Sequence, residues 1–145
     1  MEPFIVFEGI EGSGKSTQSR ELKSRLTNAG YPSILIHEPG STAIGELVRG
    51  WLKNGVNITP LTELLLFSSA RASLVDTVIR PAFLNRQIVI CDRYIYSTLA
   101  YQGYGRQLNL DLIREINAIA TTGLLPHLVV LLDLPPEEGF ARKKN

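Results

Sequence analysis

Gly9-Ile10-Glu11-Gly12-Ser13-Gly14-Lys15-Ser16, followed by Thr17, fits the pattern G-x-x-x-x-G-K-[ST]. Glycines in such a run let the backbone wrap around phosphates with its N–H groups pointing inward. The helix that follows presents its positive end to the same anion. Lys15 supplies a mobile point charge for the β- and γ-phosphates of a nucleoside triphosphate, and the Ser16 hydroxyl can ligate Mg²⁺. The run lies between a short apolar stretch and a helical one, the context the motif requires. Phosphate binding by Gly9, Glu11, Gly12, Ser13, Gly14, Lys15, Ser16 and Thr17 is the first expectation.

Such a loop serves GTPases, motor ATPases and small-molecule kinases alike, so other residues must narrow the reaction. A motor ATPase would want an acidic pair after the third strand, but here Asp92 is followed by Arg93. No Asn-Lys-x-Asp segment of the kind that reads guanine occurs. Asp92 and Arg93 close a buried strand, where α/β sheets place their ligand crevice. A carboxylate there can orient magnesium waters, and an arginine can hold a second phosphate bidentately. The alternative is a plain ion pair at a strand end.

The elements that must position these groups alternate. Phe4–Phe7, Ser33–Ile36, Ile88–Cys91 and Leu128–Leu132 are short apolar runs that read as strands. Between them lie a helix after Gly14 that Gly30 closes, and a helix carrying Ile44, Leu47, Val48 and Leu52. Thr59-Pro60 marks the start of a long helix running to about Ile79 or beyond, with Pro81 ending it or disturbing its last turn. A further helical stretch spans Asn109–Thr122, and Pro135-Pro136 opens another. Strand–helix alternation implies right-handed crossovers, hence a parallel sheet with helices on both faces.

Bulk composition agrees with one globular domain over residues 1–145. The chain is 44% apolar and 20% charged, with a net charge of +1. That balance offers no broad field for nucleic acid, and no run approaches membrane-spanning length. Cys91 is the single cysteine, so neither an internal disulfide nor a thiolate zinc site is open to it. A cytoplasmic location is expected.

Four blocks stand in order: Gly9–Thr17, Glu38-Pro39-Gly40, Leu65-Leu66-Phe67-Ser68-Ser69-Ala70-Arg71, and Asp92-Arg93-Tyr94 with Ser97, Ala100, Tyr101 and Gln102. Together they resemble the thymidylate kinases, nucleoside monophosphate kinases that make dTDP from dTMP. The resemblance implies the P-loop nucleoside monophosphate kinase fold, ATP and Mg²⁺ as donor and metal, and a homodimer. It implies that the chain stops in or just before the lid, with the fifth strand beyond Asn145. By resemblance, Arg71 and Arg93 grip the 5′-phosphate of dTMP, and Phe67 stacks on thymine. Glu11 contacts the 3′-hydroxyl, Tyr101 crowds the sugar's 2′ position, and Ser97, Thr98 and Gln102 meet the thymine edge. Glu38 belongs to the substrate-binding set, while Ser16 and Asp92 attend the metal. On spacing alone Phe67 is an ordinary core residue, and Arg71 a solvated charge on a helix.

Two departures matter. The family continues Glu-Pro-Gly with a second glycine, but here Ser41 stands there. If that position needs positive φ, Ser41 is strained or the loop shifts. Second, Glu11 is followed by Gly12, so the P-loop contributes only Lys15 as a cation. The group that supplies its extra cation from the lid is the better match, with Arg142 of Arg142-Lys143-Lys144 the first choice. Rival readings are another nucleotide kinase with the same loop and a non-catalytic nucleotide-binding module. His37, His127 and Trp51 carry no catalytic reading; Trp51 suits packing or a dimer surface.

Overall fold

A computed structural model describes residues 2–55 and 57–144, the side chains of Lys143 and Lys144 excepted. Its four strands are β1 (Phe4–Glu8), β2 (Ser33–His37), β3 (Ile88–Asp92) and β4 (Leu128–Leu131). All pair in parallel, in the order β2-β3-β1-β4. The step from β1 to β2 runs one way across the sheet, and the steps from β2 to β3 and β3 to β4 run the other. Right-handed crossovers therefore place α1 (Lys15–Asn28) on one face and the later helices on the opposite one. The parallel sheet with helices on both faces is as expected.

The opposite face holds the main core. Phe4, Val6, Ile36, Val89 and Cys91 pack there with Leu74, Val75, Ile79 and Ala82 from the long helix, and with Tyr94 and Ile95. Phe4 is fully buried, its ring edge-on to Tyr94 at 5.0 Å. α2 (Ala43–Lys53) is capped by Thr42, whose hydroxyl accepts from the Gly45 N–H. α3 (Pro60–Leu74) is capped by Thr59 with Pro60 at its start. α6 (Leu110–Thr121) is capped by Asn109, and α7 (Pro136–Lys144) follows the edge strand β4.

The sequence left open whether the long helix stops near Ile79 or passes Pro81, and the structure takes the second course. The helix widens into a π-helical turn at Val75–Ile79, where the Arg80 N–H reaches back to the Val75 carbonyl, and continues as α4 (Arg80–Leu84). A proline inside a regular helix loses one hydrogen bond and collides with the carbonyl four residues earlier. The wider turn just before Pro81 changes that register, so the helix passes the proline. The structure differs from the sequence expectation in a helix the periodicity did not reveal: α5 (Ile95–Thr98) running on as a π-helical turn, Leu99–Gly105.

The core makes a direct stability test. Phe4→Ala removes a fully enclosed ring and is expected to cost about 3–5 kcal/mol, read from the urea midpoint at unchanged slope. A loss below about 1 kcal/mol would contradict this account of the core.

Candidate functional site

Register brings the carboxyl ends of the strands together. Asp92 pairs across from both Phe7 and His37, so the P-loop after β1, Glu38 after β2 and Arg93 after β3 share one edge of the sheet. Gly14 sits at φ 95° before α1, and no side chain caps that helix. Its first N–H groups are thus available to an anion. The Ser13 hydroxyl is buried without a partner. Lys15 is 6% exposed, its ammonium donating to the Ile10 carbonyl at 2.6 Å. Burial and the neighbouring Arg93 charge lower its pKa from the usual lysine value, against the pull of Asp92, Glu8 and Glu11. The Ser16 hydroxyl donates to Asp92 Oδ2 at 2.5 Å, which sets two oxygen atoms side by side. These features fit a bound triphosphate with a divalent cation.

Two cavities adjoin here. One, of about 580 Å³, is lined by Gly12, Lys15, Ser16 and Asp92 among others. The second, of about 840 Å³, is lined by Phe67, Ser97, Thr98, Tyr101 and Gln102 among others. Glu11, Glu38, Arg49 and Arg93 line both. Phe67 is only half-buried and faces this space, so it is not the ordinary core residue its spacing allowed. Tyr101 is held by Arg93, whose guanidinium lies 5.2 Å from the ring centroid. Arg93 has φ 74° and also donates to the Gly9 carbonyl and the Ser97 hydroxyl, each at 3.1 Å. Gly9, Ser13 and Gly14 shape the loop, while Thr17 lies one turn into α1 and lines neither cavity.

Arg71 is placed apart from the other residues expected at the substrate. Every substrate residue named from the sequence lines the larger cavity except this one. Arg71 is 2% exposed, with Nε donating to Glu38 Oε2 at 2.8 Å and Nη1 to Asn117 Oδ1 at 2.7 Å. Nη2 donates to the Tyr94 carbonyl and the Thr98 hydroxyl. With its donors so engaged, it braces residues of the cavity wall and does not line the cavity itself. The arginine that faces both cavities beside Arg93 is Arg49 of α2, which sequence reasoning missed. Its signal was weak: one of two basic residues, with Lys53, on an amphipathic helix outside every matching block.

Glu38 is buried, and burial pushes its carboxyl above the ordinary range despite the Arg71 partner. Its Oε1 has no hydrogen-bond partner and opens the question of a donor from a ligand. Ser41 adopts φ 63°, the strained option expected for a residue without glycine's freedom. The strain is held by two contacts: its hydroxyl accepts from the His37 N–H at 3.0 Å, and its N–H donates to Glu46 at 3.0 Å.

Glu8 was also missed. Buried at the end of β1, it accepts from the Tyr94 and Ser97 N–H groups and from the Ser97 hydroxyl at 2.7 Å, and so caps α5. Arg142 lines neither cavity; it is exposed, 3.9 Å from Glu138 on its own helix. The side chains of its neighbours Lys143 and Lys144 lie outside the described residues. Gly12 explains why no second cation follows Glu11 in the loop. A Cβ there would lie 2.2 Å from the Gly139 carbonyl of α7, so no side chain fits.

The comparisons with known proteins agree with this geometry. A family model described as thymidylate kinase matches residues 7–145. A thymidylate kinase of Synechococcus sp. (strain JA-2-3B'a(2-13)) is 52% identical over 141 residues, 97% of this chain and 68% of the relative. One from Thermomicrobium roseum is 51% identical over 144 residues, 99% of this chain and 69% of the relative. The crystal structure of thymidylate kinase from Ehrlichia chaffeensis superposes with a TM-score of 0.88 at 38% identity, covering 97% of this chain and 81% of that one.

The two arginines are separable by experiment. Arg71→Met leaves Glu38 buried without its partner and is expected to cost about 3–5 kcal/mol of unfolding free energy. Arg49→Met, at a cavity wall, is expected to change stability by less than about 1 kcal/mol. Equal, small effects on the denaturation midpoint would contradict the placement of Arg71.

Proposed function

The chain belongs to the thymidylate kinase family and phosphorylates dTMP with ATP in dTTP synthesis, and we propose that its two adjoining cavities are the donor and acceptor sites. The observation that carries this reading is their common wall of Glu11, Glu38, Arg49 and Arg93. Phosphoryl transfer needs the attacking oxygen in line with the γ-phosphate, and a shared wall is where two such groups would meet.

On the donor side, the N–H groups of the uncapped α1 start and the Lys15 ammonium hold the triphosphate. Lys15 leaves the Ile10 carbonyl to do so. Ser16 and Asp92 hold Mg²⁺, which when bound supplies charge neutralisation on the donor phosphates. On the acceptor side, Arg93 and Arg49 take the 5′-phosphate of dTMP, whose oxygen attacks as ADP departs. Phe67 stacks on the base, Tyr101 stands against the 2′ position of the sugar, and Glu11 meets the 3′-hydroxyl. Ser97, Thr98 and Gln102 border the base edge. Glu38 keeps one buried, unpartnered oxygen beside both cavities, and Arg71 holds Glu38 through the other.

Arg142 of α7 is assigned the additional cation of the donor side. Gly12 gives the reason, since α7 already rests on the loop at the spot where a P-loop cation would stand. Residues 1–145 are read as one kinase domain leading into the lid. The chain is read as a homodimer, because packed helices α2 and α3 leave Leu47, Trp51, Leu61 and Leu65 exposed. A cytoplasmic location suits its nucleotide substrates and the buried, unpaired Cys91.

Coupled ADP release with dTMP, dUMP and dGMP offered separately tests the reading, with dTMP expected to be the preferred acceptor. Lys15→Ala should lower turnover about a thousandfold, roughly 4 kcal/mol of transition-state stabilisation. Near-normal kcat in the folded variant would sink the donor assignment. For Arg142→Ala, kcat should drop at least tenfold, roughly 1.4 kcal/mol, while KM for dTMP holds within about twofold. An intact kcat would leave Arg142 as surface.

A further inference from the structure

Gln102 lines the larger cavity yet is only 4% exposed. Its amide nitrogen donates to Glu63 Oε1 at 2.7 Å. Glu63, from the first turn of α3, is itself 5% exposed. Its Oε2 accepts from Arg106 Nη2 at 2.7 Å, and Arg106 Nε lies 3.4 Å from Oε1. Burial pushes the Glu63 carboxyl up, but the hydrogen bonds from Arg106 and Gln102 outweigh it and leave it below the ordinary value. The group is an anion, and an ionised carboxylate can only accept.

That constraint passes to Gln102. Its NH₂ has to face Glu63, because the reverse orientation would set a carbonyl oxygen against a carboxylate. The carbonyl Oε1 is then the free end. No described residue donates to it, and it is not among the sealed, unpartnered atoms, so it opens on the cavity that Gln102 lines. The wall therefore offers a lone acceptor whose polarity is set one residue deeper, by Glu63.

We propose that Glu63 is a positioning residue for base choice: by fixing the Gln102 amide it selects a pyrimidine with a ring N–H, thymine or uracil, over cytosine. This rests on the reading of the larger cavity as the dTMP site. Cytosine presents an unprotonated N3, an acceptor, where thymine presents N3–H. Against Gln102 Oε1 the thymine edge gains a hydrogen bond and the cytosine edge meets a second acceptor. The amide cannot turn to suit cytosine while Glu63 stays ionised, and Arg106 keeps it so. Sites that leave a buried polar group unpaired reject the wrong ligand strongly.

The test is kcat/KM for dTMP and dCMP in wild type and in Glu63→Gln, which keeps the shape but can donate as well as accept. The dTMP:dCMP ratio is expected to fall at least tenfold, through a higher KM for dTMP and a gain with dCMP, with kcat for dTMP within about threefold of wild type. Loss of packing alone would weaken both acceptors together and leave the ratio unchanged. An unchanged ratio in the folded variant overturns the role of Glu63. Should Glu63→Gln fold poorly, Glu63→Met removes the acceptor altogether, and the same fall or the same constancy decides. Wild type that turns over neither pyrimidine overturns the dTMP-site reading, and the inference with it. Wild type that prefers dTMP beside an unaltered Glu63→Gln ratio removes the inference only.

Discussion

The buried pair of Arg71 and Glu38 is the contact on which the site's shape depends. Both side chains are almost wholly enclosed, with Arg71 Nη2 2.7 Å from Glu38 Oε2. Removing two charges from water costs several kcal/mol each, so such a pair survives only with good geometry and with its remaining hydrogen-bond capacity met. Arg71 meets that condition by spreading its donors over three further groups: the Tyr94 carbonyl, Thr98 and Asn117. One guanidinium thereby ties the loop after β2 to α3, α5 and α6. Those are the elements that carry Glu38, Phe67, Ser97, Thr98 and Gln102 to one cavity. The pairing uses only one oxygen of Glu38, and the other is enclosed without a hydrogen-bond partner.

A second set of constraints fixes the phosphate side. Glu8, at the end of β1, caps the helix that begins after β3, so the segment carrying Arg93 and Ser97 is anchored to the strand that launches the P-loop. Arg93 returns the link through the Gly9 carbonyl. α7 rests on the loop so closely that Gly12 and Gly139 must both lack side chains: a Cβ on Gly139 would lie 2.4 Å from the Glu11 carbonyl. α7 and the P-loop are consequently in direct backbone contact.

What the residues disclosed before any coordinates follows the range of the forces involved. The P-loop, the strands, the Thr59-Pro60 helix start and the helix over Leu110–Thr121 are local features, written in neighbouring residue types. The strain at Ser41 was equally legible, because only glycine takes positive φ freely. The π-helical turns were not, since apolar spacing does not register one extra residue in a turn. The placement of Arg71 beneath the cavity and of Arg49 at its wall was not legible, because an arginine's partners lie far along the chain. Glu38 is 33 residues from Arg71, and Asn117 is 46. Nothing in the local pattern around Arg49 distinguishes it from a solvated charge; only the approach of α2 to both cavities does.

The central claim is that two nucleotides occupy adjoining cavities and meet at one wall, and backbone amide NMR shifts upon separate titration test it most directly. A non-hydrolysable ATP analogue with Mg²⁺ is expected to move Gly12, Lys15 and Ser16, and dTMP to move Phe67, Ser97 and Gln102. Both ligands are expected to move Glu11, Arg49 and Arg93. Shifts from dTMP confined to the P-loop, with Phe67 and Gln102 unmoved, would contradict the account.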